Sequence, residues 1–193
     1  MARTKDFDEA EVLNKALCLF WHKGYNGTSM QELVDHLGIS RSSLYDTYAD
    51  KHSLYIKSLE FYQNNSRQKM DDIAANATSA KEAITQLFTL MTTELLTDDQ
   101  QKGCFIVNSE VELAPHDPEV RLIIRRNESQ IEDILVAVIQ KGQESGEIAN
   151  KQDARAIARF IFNAVKGMRV SAKLTTDKAF FNDIIKITLS VLD

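Results

Sequence analysis

The amino-acid sequence predicts an all-α chain of about nine helices. Three observations carry that prediction. Two prolines and seven glycines in 193 residues are too few turn formers for a β-sandwich, which needs a turn roughly every ten residues. Apolar residues recur at the 3, 4 and 7 spacings of a helix face, as in Leu13, Ala16, Leu17 and Phe20. Capping residues stand in front of such stripes, and glycines follow several of them.

Each element can be justified in turn. The first helix starts near Asp8 and stops at Gly24, which adopts a left-handed cap at low cost. Ser29 with Glu32 forms a capping box for a second helix carrying Met30, Leu33, Val34 and Leu37, ended by Gly38. Ser40 caps a third, short helix reaching about Tyr48, and Asp50 caps a fourth reaching about Met70. Ser79 with Glu82 reads as another capping box, opening a helix to about Leu96. Residues 103 to 113 read as a short helix. Asp117-Pro118 places proline at the first position of a helix that runs to Ser145, before Gly146. Asp153 opens a helix to about Lys173, and Asp177 opens the last.

Composition excludes several classes. Hydrophobic residues at 44% and charged residues at 26% fit a globular chain. The longest apolar run, Ile134 to Ile139, is far short of a membrane span, and the N-terminus has no signal-peptide pattern. Cys18 and Cys104 match no metal or disulfide spacing, so the expected setting is the cytoplasm with reduced thiols. No metal or cofactor is implied. There is no glycine-rich phosphate loop, no paired-histidine metal motif and no recognisable nucleophile, which argues against an all-α enzyme. The net charge of −5 argues mildly against a nonspecific polyanion binder. Residues 1 to 60 hold seven basic groups against nine acids, so binding of nucleic acid must rest on where the charges sit.

Three short helices with a tight turn at Gly38-Ile39 have the layout of a helix-turn-helix. The residues Gly24-Tyr25, Thr28-Ser29, Leu33-Val34, Leu37-Gly38-Ile39-Ser40-Arg41-Ser42-Ser43-Leu44-Tyr45, then Tyr48, Lys51 and Leu54 resemble the N-terminal signature of the TetR/AcrR family. His52 stands where that family usually carries glutamate. The resemblance implies a DNA-binding domain over residues 1–50 and an effector-binding and dimerisation domain over 51–193, working as a regulator of transcription. A helical scaffold or ligand carrier without DNA binding would suit the acidic charge, but leaves Thr28, Tyr45 and Lys51 unexplained.

The expected DNA contacts follow from the third helix lying in a major groove. Leu44 and Tyr48, one turn apart, face inward; Arg41, Ser42, Ser43, Tyr45 and Thr47 face the groove or its walls, Tyr48 completing the set. Thr28 and Ser29 offer hydroxyls and amides at a helix N-terminus, where the dipole favours a phosphate. Lys51 suits a second phosphate clamp, and Arg3 with Lys5 a basic arm. Ser29 and Ser40 cap helices whether or not DNA is present. His22, His36 and His52 read as solvated or locally bonded.

Beyond residue 50, the two last helices carry Ile157, Phe160, Ile161, Met168, then Phe180, Phe181, Ile184, Ile185 and Leu192, more apolar surface than one small core needs. In the family such helices pair with their copies in a homodimer. Polar residues interrupting apolar faces, Asn108, Asn127 and Asn163, mark an effector pocket walled by Phe61, Tyr62, Phe88, Met91 and Phe160. Gly103-Cys104-Phe105-Ile106-Val107-Asn108 resembles a stretch of one subgroup of the family that includes regulators answering to electrophiles. On that reading Cys104 belongs to the effector pocket and lies in the first turn of a helix, close to unpaired amides, whereas Cys18 is packing.

Overall fold

A computed structural model describes residues 7–98 and 101–193; the expected basic arm of Arg3 and Lys5 lies outside them. Nine α-helices occur among the described residues: α1 (Glu9–Lys23), α2 (Met30–Leu37), α3 (Arg41–Tyr48), α4 (Lys51–Asn76), α5 (Ala80–Leu96), α6 (Phe105–Glu112), α7 (Pro118–Ser145), α8 (Ala154–Ser171) and α9 (Lys178–Leu189), closed by a 3-10 turn at Ser190–Leu192.

The caps explain most boundaries. Asp8, Ser40, Asp50, Asp117, Asp153 and Asp177 each accept backbone N–H groups of the following turn. At α2 both halves of the capping box form. At α5 only one does. Ser79 accepts from the Glu82 amide, but the Glu82 carboxylate turns to the backbone N–H and hydroxyl of Thr78. The fourth helix continues to Asn76, past the expected end near Met70, because Ala74 and Ala75 are strong helix formers and Gln68 bonds Asp72 one turn on.

Two apolar cores share the molecule. The first joins α1, α2, α3 and the N-terminal half of α4 to Phe105, Ile106, Val107, Val120 and Ile124, so it runs past residue 50 into α6 and the start of α7. The second gathers Ile84, Phe88 and Met91 of α5, Ile131, Leu135 and Ile139 of α7, and Ile157, Ile161 and Phe181 of α8 and α9. The α8 face divides: Ile157, Ala158, Ile161 and Met168 are buried, whereas Phe160, Asn163, Gly167 and Val170 follow the opposite, exposed side, and Leu174 in the turn after the helix is exposed as well.

Three local features shape the backbone of the helices and their junctions. Thr85, Thr89, Thr92 and Thr93 of α5, with its cap Thr97, each donate a hydroxyl to the carbonyl four residues back. Between α3 and α4, Ala49 takes φ 63° and ψ −54° while the Asp50 amide bonds the Tyr48 carbonyl at 2.7 Å, the strained γ-turn geometry. Gly24, with φ 77° and ψ 169°, occupies a region essentially restricted to glycine.

Candidate DNA interface and effector cavity

α3 is an eight-residue helix held by its inner face. Leu44 and Tyr48 are buried against Leu33 and Leu37, which fixes the opposite side outward. Arg41, Ser42 and Tyr45 are exposed there, with Ser43 and Thr47 half-buried at its flanks. Arg41 is aimed by α2: its guanidinium donates to Gln31 Oε1 at 3.0 Å, and Gln31 in turn bonds Asp35. Ser40 accepts the Ser43 amide and lies within hydrogen-bond reach of both Ser42 and Ser43 hydroxyls.

Four of the expected DNA residues sit differently from the rest. Thr28 is 1% exposed and spends its hydroxyl on the Gly24 carbonyl at 2.6 Å. Tyr48 is buried to its hydroxyl, so its ring is packing. Lys51 is half-buried. Its ammonium donates to the carbonyls of Tyr25 and Thr28 at 2.9 and 2.8 Å and lies 4.1 Å from the Tyr25 ring centre. Burial pushes its pKa down. Ser29 is exposed but engaged in the capping box with Glu32. The Lys23 ammonium and the Ser29 backbone and hydroxyl donors hold the Glu32 carboxyl at about 2.

The loop before α2 is tied to a helix more than eighty residues further along the chain. The Glu112 carboxylate, at the last turn of α6, accepts the backbone N–H of Tyr25 at 3.1 Å and of Asn26 at 2.8 Å. A Cβ on Gly24 would meet Glu112 Oε2 at 2.8 Å. Close by, His52 bonds Asp117, the cap of α7, at 2.7 Å, and Tyr55 bonds Ser109 of α6 at 2.6 Å. The partner of His52 is therefore 65 residues away and not local. Nothing in the sequence spacing pairs Glu112 with residues 25 and 26.

On the far side of α6 lies a cavity of about 100 Å³. It is walled by Ile84, Leu87, Phe88 and Met91 of α5, Ile106 and Val107 of α6, Ile131 and Leu135 of α7, and Ile161, Phe162 and Val165 of α8. Of the expected pocket residues, Tyr62, Phe88, Met91, Cys104 and Asn127 line it. Four do not. Phe61 packs on the first core. Asn108 bridges the Lys102 carbonyl and Lys173. Phe160, 51% exposed, and Asn163 are corrected to the outer face of α8, since a turn of helix carries them away from Ile157 and Ile161. Cys104 caps α6 and does not enter its first turn; its sulfur is approached by Tyr62 Oη at 3.8 Å and by Arg169. Cys18 is exposed, contrary to its expected packing.

Charged groups around the cavity are mutually engaged. Lys166 bonds Glu110 at 2.7 Å and Glu128 at 2.5 Å; burial alone would lower its pKa, and the two carboxylates outweigh that and raise it. Lys69 pairs with Glu94 at 2.7 Å. Glu94 also faces Arg169. Among the described residues, no group of His, Cys, Asp and Glu could hold a metal, and no helix is long and apolar enough to cross a membrane.

Comparison with known proteins fits this geometry. Residues 12–57 match the bacterial regulatory proteins of the tetR family, and residues 80–187, more than half the chain, match the tetracyclin repressor-like C-terminal domain. The chain belongs to the TetR family. It is a DNA-binding transcriptional regulator and not an enzyme. The HTH-type transcriptional regulator YezE of Bacillus subtilis strain 168 is 36% identical over 194 residues, covering 100% of both chains. The HTH-type transcriptional repressor ComR of Escherichia coli strain K12 is 27% identical over 172 residues, covering 89% of this chain and 82% of that one. Among solved TetR-family structures, a cysteine-substituted CifR complexed with 26-bp double-strand operator DNA superposes with TM-score 0.88 at 22% identity over 100% of both chains. Reduced E. coli NemR superposes with TM-score 0.87 at 14% identity, covering 95% of this chain and 96% of that one.

Proposed function

We propose that this regulator is a repressor whose dimer leaves its operator when a small lipophilic molecule fills the cavity between α4, α5, α6, α7 and α8. One observation supports the DNA half above all: α3 is locked by Leu44 and Tyr48, and so presents Arg41, Ser42 and Tyr45 on a fixed outward face. Residues 1–50 then carry the DNA contacts and residues 51–193 the effector and dimer functions. Arg41 suits a guanine edge or phosphate, and the serine hydroxyls either role. Lys51 acts behind them, fixing the loop that leads into α2. Acting on DNA, the protein works inside the cell.

The dimer is formed through α8 and α9. Phe160, Val170, Leu174, Phe180 and Ile187 are large apolar side chains left in solvent, Leu174 being 88% exposed. Nothing crowds the Cβ position of Gly167 on the same face, which suits close helix approach. Two protomers so paired read a near-palindromic site, with recognition helices about 34–36 Å apart. The release of DNA is a change in that separation, carried by α4, which packs with both cores. ComR is named as a repressor, which supports repression over activation.

Selection of bound fragments from random DNA, followed by sedimentation of protein and complex, tests the reading. It expects a symmetric site and one dimer per site; a stable monomer at micromolar concentration, or no enriched sequence, overturns it. A second reading is favoured by the position of Cys104 in the cavity wall, with two donors converging on its sulfur. A lipophilic electrophile would alkylate Cys104 and release DNA. Because Cys18 is exposed, the test uses a Cys18→Ser background: N-ethylmaleimide must loosen DNA there and fail to do so when Cys104 is also replaced.

A further inference from the structure

Among the described residues, one buried side-chain N–H group lining the cavity has no partner. Asn127 is 5% exposed, lines the cavity from α7, and its Nδ2 has no hydrogen-bond acceptor. A buried N–H without a partner is costly and uncommon in folded proteins. Gln63 and Trp21 also carry unpaired buried N–H groups, but neither lines this cavity. Asn127 stands on the stripe Val120, Ile124, Ile131, Leu135, where any apolar residue of similar size would pack without that penalty.

The charges lining the cavity point the same way. Lys69, Lys166 and Arg169 face Glu94, Glu110 and Glu128, three cations against three anions. Each lysine is already bonded to carboxylate. A charged ligand would have to enter without a spare counter-ion, and burying an unpaired charge is far costlier than burying a neutral polar group. The volume sets the scale. An apolar cavity of about 150 Å³ takes a benzene ring, so about 100 Å³, shared at Tyr62, Ser66, Lys69, Glu94 and Arg169 with a wider outer cleft, suits a single ring or a short chain.

From these we infer that the effector is a neutral, lipophilic molecule of about one ring that carries a hydrogen-bond-accepting oxygen, and that Asn127 Nδ2 donates to it. This rests on the cavity being the effector site, and deepens that reading by naming what the site selects. The apolar wall supplies affinity and tolerates many shapes. The single amide donor supplies the orientation and the preference for an oxygen over a methylene.

The test compares cyclohexanone, methylenecyclohexane and cyclohexanecarboxylate, which share a ring and differ in the group offered to Asn127. Binding to the full-length protein is measured by calorimetry and by thermal shift at fixed protein concentration, without DNA. Wild-type protein is expected to prefer cyclohexanone and to reject the carboxylate. In Asn127→Leu, the ratio of the cyclohexanone to the methylenecyclohexane Kd should rise by about tenfold, the order of one neutral hydrogen bond. The unliganded variant should melt at or above the wild-type temperature, because an unpaired amide has left the core. Asn127→Ala provides the same ratio should leucine fit poorly. An unchanged ratio in the variants, equal binding of ketone and hydrocarbon by wild type, tight carboxylate binding, or binding of none of the three overturns the inference. Adding operator DNA separates the two readings: a ketone that binds through Asn127 but leaves DNA bound refutes effector-driven release and leaves this inference standing.

Discussion

Glu112→Ala removes the tie between α6 and the loop that precedes α2. The carboxylate accepts two backbone N–H groups, at 3.1 Å from Tyr25 and 2.8 Å from Asn26. Hydrogen bonds to charged groups contribute about 1.5–3 kcal/mol each, and the Asn26 bond is exposed and worth less. We take about 2 kcal/mol for the pair. For a chain of this length that lowers Tm by about 4–8 °C at fixed protein concentration. Because the loop leads directly into the Ser29 cap, part of the loss should also appear as weaker operator binding, by up to about thirtyfold. Glu112→Gln retains one acceptor and should fall between. Gly24→Ala provides a cycle. In the wild type it suffers both its own backbone strain and a Cβ placed 2.8 Å from the carboxylate; in Glu112→Ala only the backbone strain remains. The two substitutions should therefore be less harmful together than their sum. Differential scanning calorimetry and operator titration of the four proteins measure this. Glu112→Ala with Tm within about 1 °C and operator affinity within about twofold of wild type would refute the tie, as would strict additivity.

Lys51→Ala should lower Tm by about 3–6 °C through the lost bonds to the carbonyls of Tyr25 and Thr28, while the salt dependence of DNA binding stays as in wild type; a slope reduced by about one identifies a direct phosphate contact instead. Arg41→Ala should instead relax preference at one base pair by about 1–3 kcal/mol, read by repeating the DNA selection. Ala49→Gly should raise Tm by about 1–3 °C, since relief of the γ-turn strain outweighs the added freedom of glycine, and a lower Tm would show that the turn is unstrained in solution. Glu32 has a folded pKa of about 2, against 4.5 unperturbed. Its contribution to stability is fully present above about 4.5 and disappears as pH falls toward 2, so Glu32→Gln should narrow the difference between unfolding at pH 5 and at pH 2.5. Ile187→Glu, placing a carboxylate on the exposed α9 face, should yield a monomer by sedimentation at micromolar concentration.

The helices were legible because their signals are local. A cap at Ser29, Ser40 or Asp117 and a glycine at 38 or 146 act within a turn, and all of these positions do what their neighbours require. The direction faced by a helix side was harder. Phe160 and Ile161 are adjacent apolar residues, and only the packing of α7 on α8 decides that Ile161 faces the core and Phe160 the solvent. Lys51 and Thr28 match the pattern of an anion site, yet both find backbone carbonyls in the folded chain, which no spacing rule reports. The cavity charges show the same limit. Lys166 meets Glu110 and Glu128 across 56 and 38 residues, and Arg169 reaches Cys104 from the other end of the domain. Asn127 was visible as a polar residue on an apolar stripe; that its amide would be left unpaired was not.

The threonines of α5 have a mechanical consequence. Each hydroxyl that bonds the carbonyl four residues back gives that carbonyl a second donor besides its own helix amide. The backbone can then lengthen an amide bond without losing all of its bonding, so bending this helix costs less than bending an alanine-rich one. The same helix carries Ile84, Phe88 and Met91 on the cavity. The α5 wall of the cavity is thus the one that yields at least cost. On the proposed reading of the cavity as the effector site, its resting volume becomes a set point, occupants of graded size meet a restoring force from the α5 side, and the range of effectors depends on the elasticity of that helix as well as on the shape of the cavity.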